Sequence, residues 1–201
     1  MSNRKAHIVE AALVVAQTQG LAAMSMRAVA AQAGSSVMAL YRHVPTKEAL
    51  LDELVGRLLA EIDLLGPSEP WRTRLHHLAG QFYDLATSYP SVIPLLMTRA
   101  YVATDAVRVV DATRSLLRDA AIPEDQLARV ERMVSTFLLG YTTSAANSAF
   151  WSDPAATTPP TARGPKPGVA AAETSAYWRS ELDRDITDLA ALVEHLSRTV
   201  P

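Results

Sequence analysis

Apolar residues recur every three or four positions along nearly the whole chain, and no stretch alternates apolar with polar in the manner of a half-buried strand. The fold class this predicts is all-α. Ile8, Ala12 and Val15 mark one face of a helix over about Lys5–Gln19, which Gly20 ends. Ser25 caps a short helix that runs through Gln32, and Gly34 permits a tight turn. Ser36 then caps a second short helix, from Val37 to about His43, which Pro45 stops. Thr46 caps a fourth helix, and its stripe of Leu50, Leu54, Leu58, Ile62 and Leu65 predicts that it continues to Leu65, just before Gly66 and Pro67.

Beyond that break, Trp71, Leu75, Leu78, Phe82, Leu85 and Tyr89 predict a long amphipathic helix that Pro90 ends. Shorter helices follow over Ser91–Tyr101 and Asp105–Ala120. Pro123 suits the first turn of a helix reaching about Trp151, lined by Leu127, Val130, Val134, Phe137 and Tyr141. Residues 152–173 are rich in Pro, Ala, Thr and Gly and read as a flexible loop. Trp178, Leu182, Ile186, Leu189, Val193 and Leu196 then mark a last helix over Ser175–Thr199. The expected organisation is a head over residues 1–48, a connecting helix over about 47–65, and a larger domain over 66–201.

With 49% apolar residues, a chain of 201 can bury a real core. No run approaches the roughly 18 uncharged apolar residues of a membrane span, and the N-terminus lacks a signal-type apolar region, so a cytoplasmic protein with no membrane partner is expected. The absence of cysteine excludes disulfides, thiolate metal sites and thiol catalysis. The net charge of −2 hides an asymmetry. Residues 1–47 carry Arg4, Lys5, Arg27, Arg42 and Lys47 against Glu10 alone, a balance of +4 that leaves −6 for the remainder. Only the N-terminal part suits a polyanion.

A short helix, a glycine turn and a second short helix within residues 25–44 have the layout of a helix-turn-helix, whose second helix enters the DNA major groove. The wording of the surrounding block, AALVVAQTQGLAAMSMRAVAAQAGSSVMALYRHVPTKEALLDELV, closely resembles the N-terminal domain of the TetR family. The match includes the Ala33–Gly34 turn, the Leu40–Val44 end of the recognition helix and the Thr46–Leu51 start of the next. That resemblance implies a homodimeric transcriptional regulator, by default a repressor, that binds palindromic double-stranded operator DNA and is released by a small hydrophobic effector.

Carried over by position, the family's DNA contacts fall on Ser25, Arg27, Ser36, Val37, Met38 and Ala39, with Tyr41, Arg42, His43 and Lys47 toward phosphates. The chemistry agrees. Arg27 can fork onto a guanine, Val37, Met38 and Ala39 suit thymine methyls, and Lys47 opens a helix whose free N–H groups favour an anion. Taken singly, Tyr41 could be a core aromatic, His43 a packing residue, and each arginine merely solvated.

In the larger domain the resemblance implies an effector pocket and a dimer seam. Aromatic and polar candidates for the pocket are His76, Phe82, Tyr83, Met97, Tyr101, Phe137, Tyr141 and Trp151. Val130 and Val134, with Leu182, Ile186, Leu189, Val193 and Leu196, are the candidates for the seam, although the same stripes would serve equally as core. No histidine occurs in residues 100–103, where the family's tetracycline-binding member uses one to hold a magnesium chelate, so a tetracycline ligand is not expected, nor is any metal or cofactor. An enzyme in a helical bundle needs Glu-x-x-His pairs, and none of His7, His43, His76, His77 or His195 has a glutamate three residues before it. The alternatives to a ligand-released repressor are a ligand-independent activator and a helical interaction module without catalytic activity.

Overall fold

The computed structural model describes residues 3–99, 104–147 and 171–199. Among them every regular element is helical. The α-helices are α1 (Asn3–Gln19), α2 (Met26–Gln32), α3 (Val37–Tyr41), α4 (Lys47–Ala60), α5 (Trp71–Ser88), α6 (Pro94–Arg99), α7 (Thr104–Asp119), α8 (Glu124–Asn147) and α9 (Ala171–Thr199), with one 3-10 turn at Leu21–Ala23. The all-α reading therefore holds. No described helix is long and apolar enough to cross a membrane.

Three consecutive helices begin on the side chains that their sequences offer. The hydroxyl of Ser25 accepts from the Ala28 N–H at 3.2 Å, that of Ser36 from Ala39 at 3.2 Å, and that of Thr46 from Ala49 at 3.0 Å. Each satisfies one of the orphan donors of a helix start, a contribution of about 1 kcal/mol. Gly34 takes φ +58°, and the Ser35 N–H closes the turn by donating to the Ala30 carbonyl at 2.9 Å.

Several boundaries differ from the sequence expectation: α3 ends at Tyr41 rather than about His43, and α6 begins at Pro94 rather than Ser91. Helix α4 stops at Ala60 rather than Leu65. Ile62 is still buried, but the Asp63 N–H donates to the side-chain carbonyl of Gln81, a partner on α5, instead of continuing the helix. At the other end of the chain, residues 171–173 are helical where a loop was expected, consistent with the high helix propensity of the alanines there. The rest of the expected loop, and Trp151, lie outside the described residues.

The chain divides into two compact units. The first comprises Met1–Glu61 and Tyr89–Arg108. There α1 packs on α2 and α4, α2 on α3, and α4 on α6, around Ile8, Val9, Val15, Met24, Val29, Leu40, Leu50, Leu54 and Leu58. Ion pairs rim this core: Lys5 with Glu53 at 2.5 Å, Arg57 with Glu10 and Glu61, and Arg99 with Asp52 at 2.7 Å.

The second unit comprises Ile62–Ser88 and Val109–Pro201, with α5 packed on both α8 and α9. Its interior holds Leu75, Leu78 and Phe82 of α5, Leu116 and Leu117 of α7, Val130, Val134 and Leu138 of α8, and Leu182, Ile186 and Val193 of α9. The stripe expected at a dimer seam is thus spent on intrachain packing. Val130, Val134, Leu182, Ile186, Leu189 and Val193 are all buried within the chain, and Leu196 is half-buried. Large apolar side chains that do reach the surface on these helices are Met133 on α8 and Leu192 on α9.

One carboxylate of α9 carries a pH-dependent cost. Burial holds the Asp185 carboxyl above its ordinary range, and Glu181 and Asp188 add repulsion. The protonated form therefore favours folding, a contribution complete below about pH 4 and lost as the pH rises through the raised value. Asp185→Asn is expected to melt higher than the unaltered protein at about pH 7 and level with it at about pH 3. A lower melting temperature for the variant at neutral pH would contradict this account.

Candidate nucleic-acid interface and cavity

The caps and the Gly34 turn fix α2 and α3 as a helix-turn-helix, and burial decides which side chains it presents. Leu40 and Val44 point inward, while Met38 is 77% exposed and Tyr41 44%. Arg27, Arg42 and His43 are exposed, and Val37, Ala39 and Lys47 are half-buried. Ser25 and Ser36 stand exposed at the helix starts that they cap. All ten residues singled out in the sequence therefore reach, at least in part, the surface around α2, α3 and the start of α4.

Charge is sorted in the same direction. Lys5, Arg57 and Arg99 are matched with carboxylates, whereas Arg27, Arg42 and Lys47 form no ion pair among the described residues. Unpaired cations grouped around an exposed apolar tip form a surface that can bind a phosphate backbone and place Met38 against base edges. One supporting residue escaped the sequence reading. The His7 ring lies with Nε2 3.3 Å from the carbonyl of Ala33, the C-cap of α2, and so ties α1 to the turn. The two are 26 positions apart, and no spacing signal could have paired them.

The residue pattern is matched by the comparisons with known proteins. The family described as "Bacterial regulatory proteins, tetR family" matches residues 8–54, and "Tetracyclin repressor-like, C-terminal domain" matches residues 66–179. The chain belongs to the TetR family. Two TetR-type relatives are the HTH-type transcriptional repressor KstR of Rhodococcus jostii (strain RHA1), 34% identical over 145 residues, and the HTH-type transcriptional repressor DrrR1 of Streptomyces coeruleorubidus, 28% identical over 137. The KstR match covers 66% of this chain and 68% of that protein. The DrrR1 match covers 66% and 50%, so the chain spans about half the length of that relative. The fold is also that of Mycobacterium smegmatis BioQ, with TM-score 0.75 at 18% identity, covering 96% of this chain and 98% of that one. A further BioQ crystal structure, with its double-stranded DNA operator, gives TM-score 0.67 at 19% identity over 93% and 98% of the two chains.

The TetR-type C-terminal match takes in most of the second unit, and there the structure rearranges the expected pocket. Phe82, Tyr83 and Tyr141 are buried in the core, where burial also raises the Tyr141 phenol above its ordinary value. Phe137 is half-buried with its ring 6.1 Å from that of Tyr141. Met97 is exposed on α6 of the first unit, and Tyr101 and Trp151 lie outside the described residues.

Of the expected set, His76 lines a cavity on the second unit. That cavity is an open groove of about 570 Å³ between α5 and α9, within the size range of ligand sites. Charged and polar residues predominate in its lining, with Arg72, His76, His77 and Asp84 of α5 and Arg179 and Asp183 of α9, while Leu65 and Leu182 supply apolar side chains. The sequence reading missed these pairings because they are remote, Arg179 with Asp84 at 95 positions and Arg72 with Glu194 at 122.

Proposed function

We propose that the chain is a cytoplasmic, non-enzymatic transcriptional repressor that binds operator DNA through α2 and α3 as a homodimer and is released by a small molecule held in the second unit. The observation that carries this reading is the unpaired Arg27, Arg42 and Lys47 grouped around exposed Met38 on a side-chain-capped helix-turn-helix. The TetR-family match and the relatives described as repressors support it. A dimer is physically required because one recognition helix spans only a few base pairs, and two half-sites add their free energies. Met133 and Leu192, exposed on α8 and α9, are the surface we assign to the second copy in place of the buried stripe.

A mobility shift with the DNA upstream of the chain's own coding region, repeated across salt concentrations, tests the proposal. Affinity should fall steeply with salt, and Arg42→Ala should lower the slope of log K against log salt by about 1. Arg27→Ala should instead cost about 1–3 kcal/mol and relax preference at one base pair. A binding-site logo unchanged in Arg27→Ala would remove that residue from base reading, and salt-independent binding would remove the phosphate contacts altogether.

A further inference from the structure

The geometry points to an organic-cation site in the α5–α9 groove, one that Arg179 of the chain itself occupies as a tethered competitor. The Arg179 guanidinium lies 5.6 Å over the ring of Tyr83, and its Nη2 is 2.5 Å from the Asp84 carboxylate. Gly80 lies alongside, where an added Cβ would meet Arg179 Nη2 only in ordinary contact, at 4.0 Å. An aromatic face and a carboxylate side by side are what a flat cation such as an amidinium or guanidinium requires.

Arg179 is weakly held. Its side chain is 45% exposed and that of Asp84 54%, and pairs this open to solvent contribute little to stability. A ligand cation that displaces it recovers both the ring contact and the ion pair, and adds burial of its apolar body against Leu65 and Leu182.

The remaining charge of the groove favours the same sign of ligand. Asp183 faces the His76 ring at 3.8 Å and Asp63 faces His77 at 3.4 Å, so neither carboxylate meets a permanent cation there. Arg72 is committed elsewhere, to Glu194 at 2.6 Å and to the Trp71 ring at 5.0 Å.

This assignment deepens the ligand-released reading and rests on it for any effect on DNA, but binding itself can be measured alone. Isothermal titration of the full chain with benzamidine, and with benzamide and benzoate as neutral and anionic counterparts, provides the readout. Arg179→Ala should bind benzamidine about five- to tenfold tighter than the unaltered protein because the competitor is gone. Asp84→Asn placed on Arg179→Ala should lose that gain and more, with an unchanged circular dichroism melt as the folding control. An ordinary surface ion pair would give no tightening.

Equal affinity in Arg179→Ala and the unaltered chain, or benzoate binding as well as benzamidine, would overturn the site. A parallel mobility shift separates the two readings. Operator binding without benzamidine binding in Arg179→Ala rejects the cation site and keeps the repressor. Benzamidine binding by a protein that retains no affinity for DNA upholds the site and rejects the repressor.

Discussion

Leu40→Ala is expected to abolish operator binding although Leu40 offers DNA no atom. Helix α3 is five residues long, too short to hold its shape alone, and Leu40, with 0% exposure, is its buried anchor. Truncating a fully buried leucine costs about 2–5 kcal/mol, a large part of the total stability of a domain. The loss falls on the packing that orients the reading face, so Val37, Met38 and Ala39 would remain in the sequence but lose their presentation. Met38→Ala is the informative partner, because it removes a side chain that already stands in solvent. Urea melts should show a large shift for Leu40→Ala and almost none for Met38→Ala, with the second variant altering base preference only. Wild-type operator affinity in Leu40→Ala would show that α3 is held by something other than its core contact.

The second large effect lies in the other unit, at a buried cation. Arg74 is 6% exposed, with Nη1 donating to the Ser115 hydroxyl at 3.3 Å, Nη2 to the Asp119 carboxylate, and Nε buried without a partner. A desolvated guanidinium is tolerated while its counter-charge is present and becomes a liability when that charge is removed. Asp119→Ala is therefore expected to destabilise by about 2–3 kcal/mol, somewhat less than the roughly 3–5 of a fully buried pair, because the Asp119 side chain is 50% exposed. Arg74→Met keeps the volume and removes the charge, so its own cost should stay within about 1 kcal/mol and could be a gain. The double variant should recover the stability lost in Asp119→Ala. Thermal melts of the three proteins decide the matter, and Arg74→Met as damaging as Asp119→Ala would mean that the pair itself, and not an uncompensated charge, supports the unit.

The parts of the chain legible in the sequence were those whose physics is local. Ser25, Ser36 and Thr46 each cap a helix within three residues, and Gly34 supplies its own positive φ, so the two short helices and their turn could be placed locally, while the TetR resemblance of the block made them a helix-turn-helix. Leu65 misled for the opposite reason. It continues the period of α4, but the backbone there is claimed by Gln81, 18 positions from Asp63. Periodicity also reports that a face is covered without saying by what. Leu182, Ile186 and Val193 turned out to be covered by their own chain. The groove was invisible on both counts, since its charged residues sit on the polar faces of α5 and α9 and meet partners in remote parts of the sequence.

The capping serines carry a further consequence for how this head can change over generations. Oγ of Ser36 accepts from the Ala39 N–H, which leaves the hydroxyl proton available to a phosphate oxygen on the proposed interface. Aspartate would cap the helix as well and suit its dipole better, yet it would bring a negative charge to the same phosphate and has no proton to give. Selection for a sturdier helix and selection for a grip on DNA thus pull one atom in opposite directions. Serine meets both demands with one hydroxyl, whereas aspartate meets only the first.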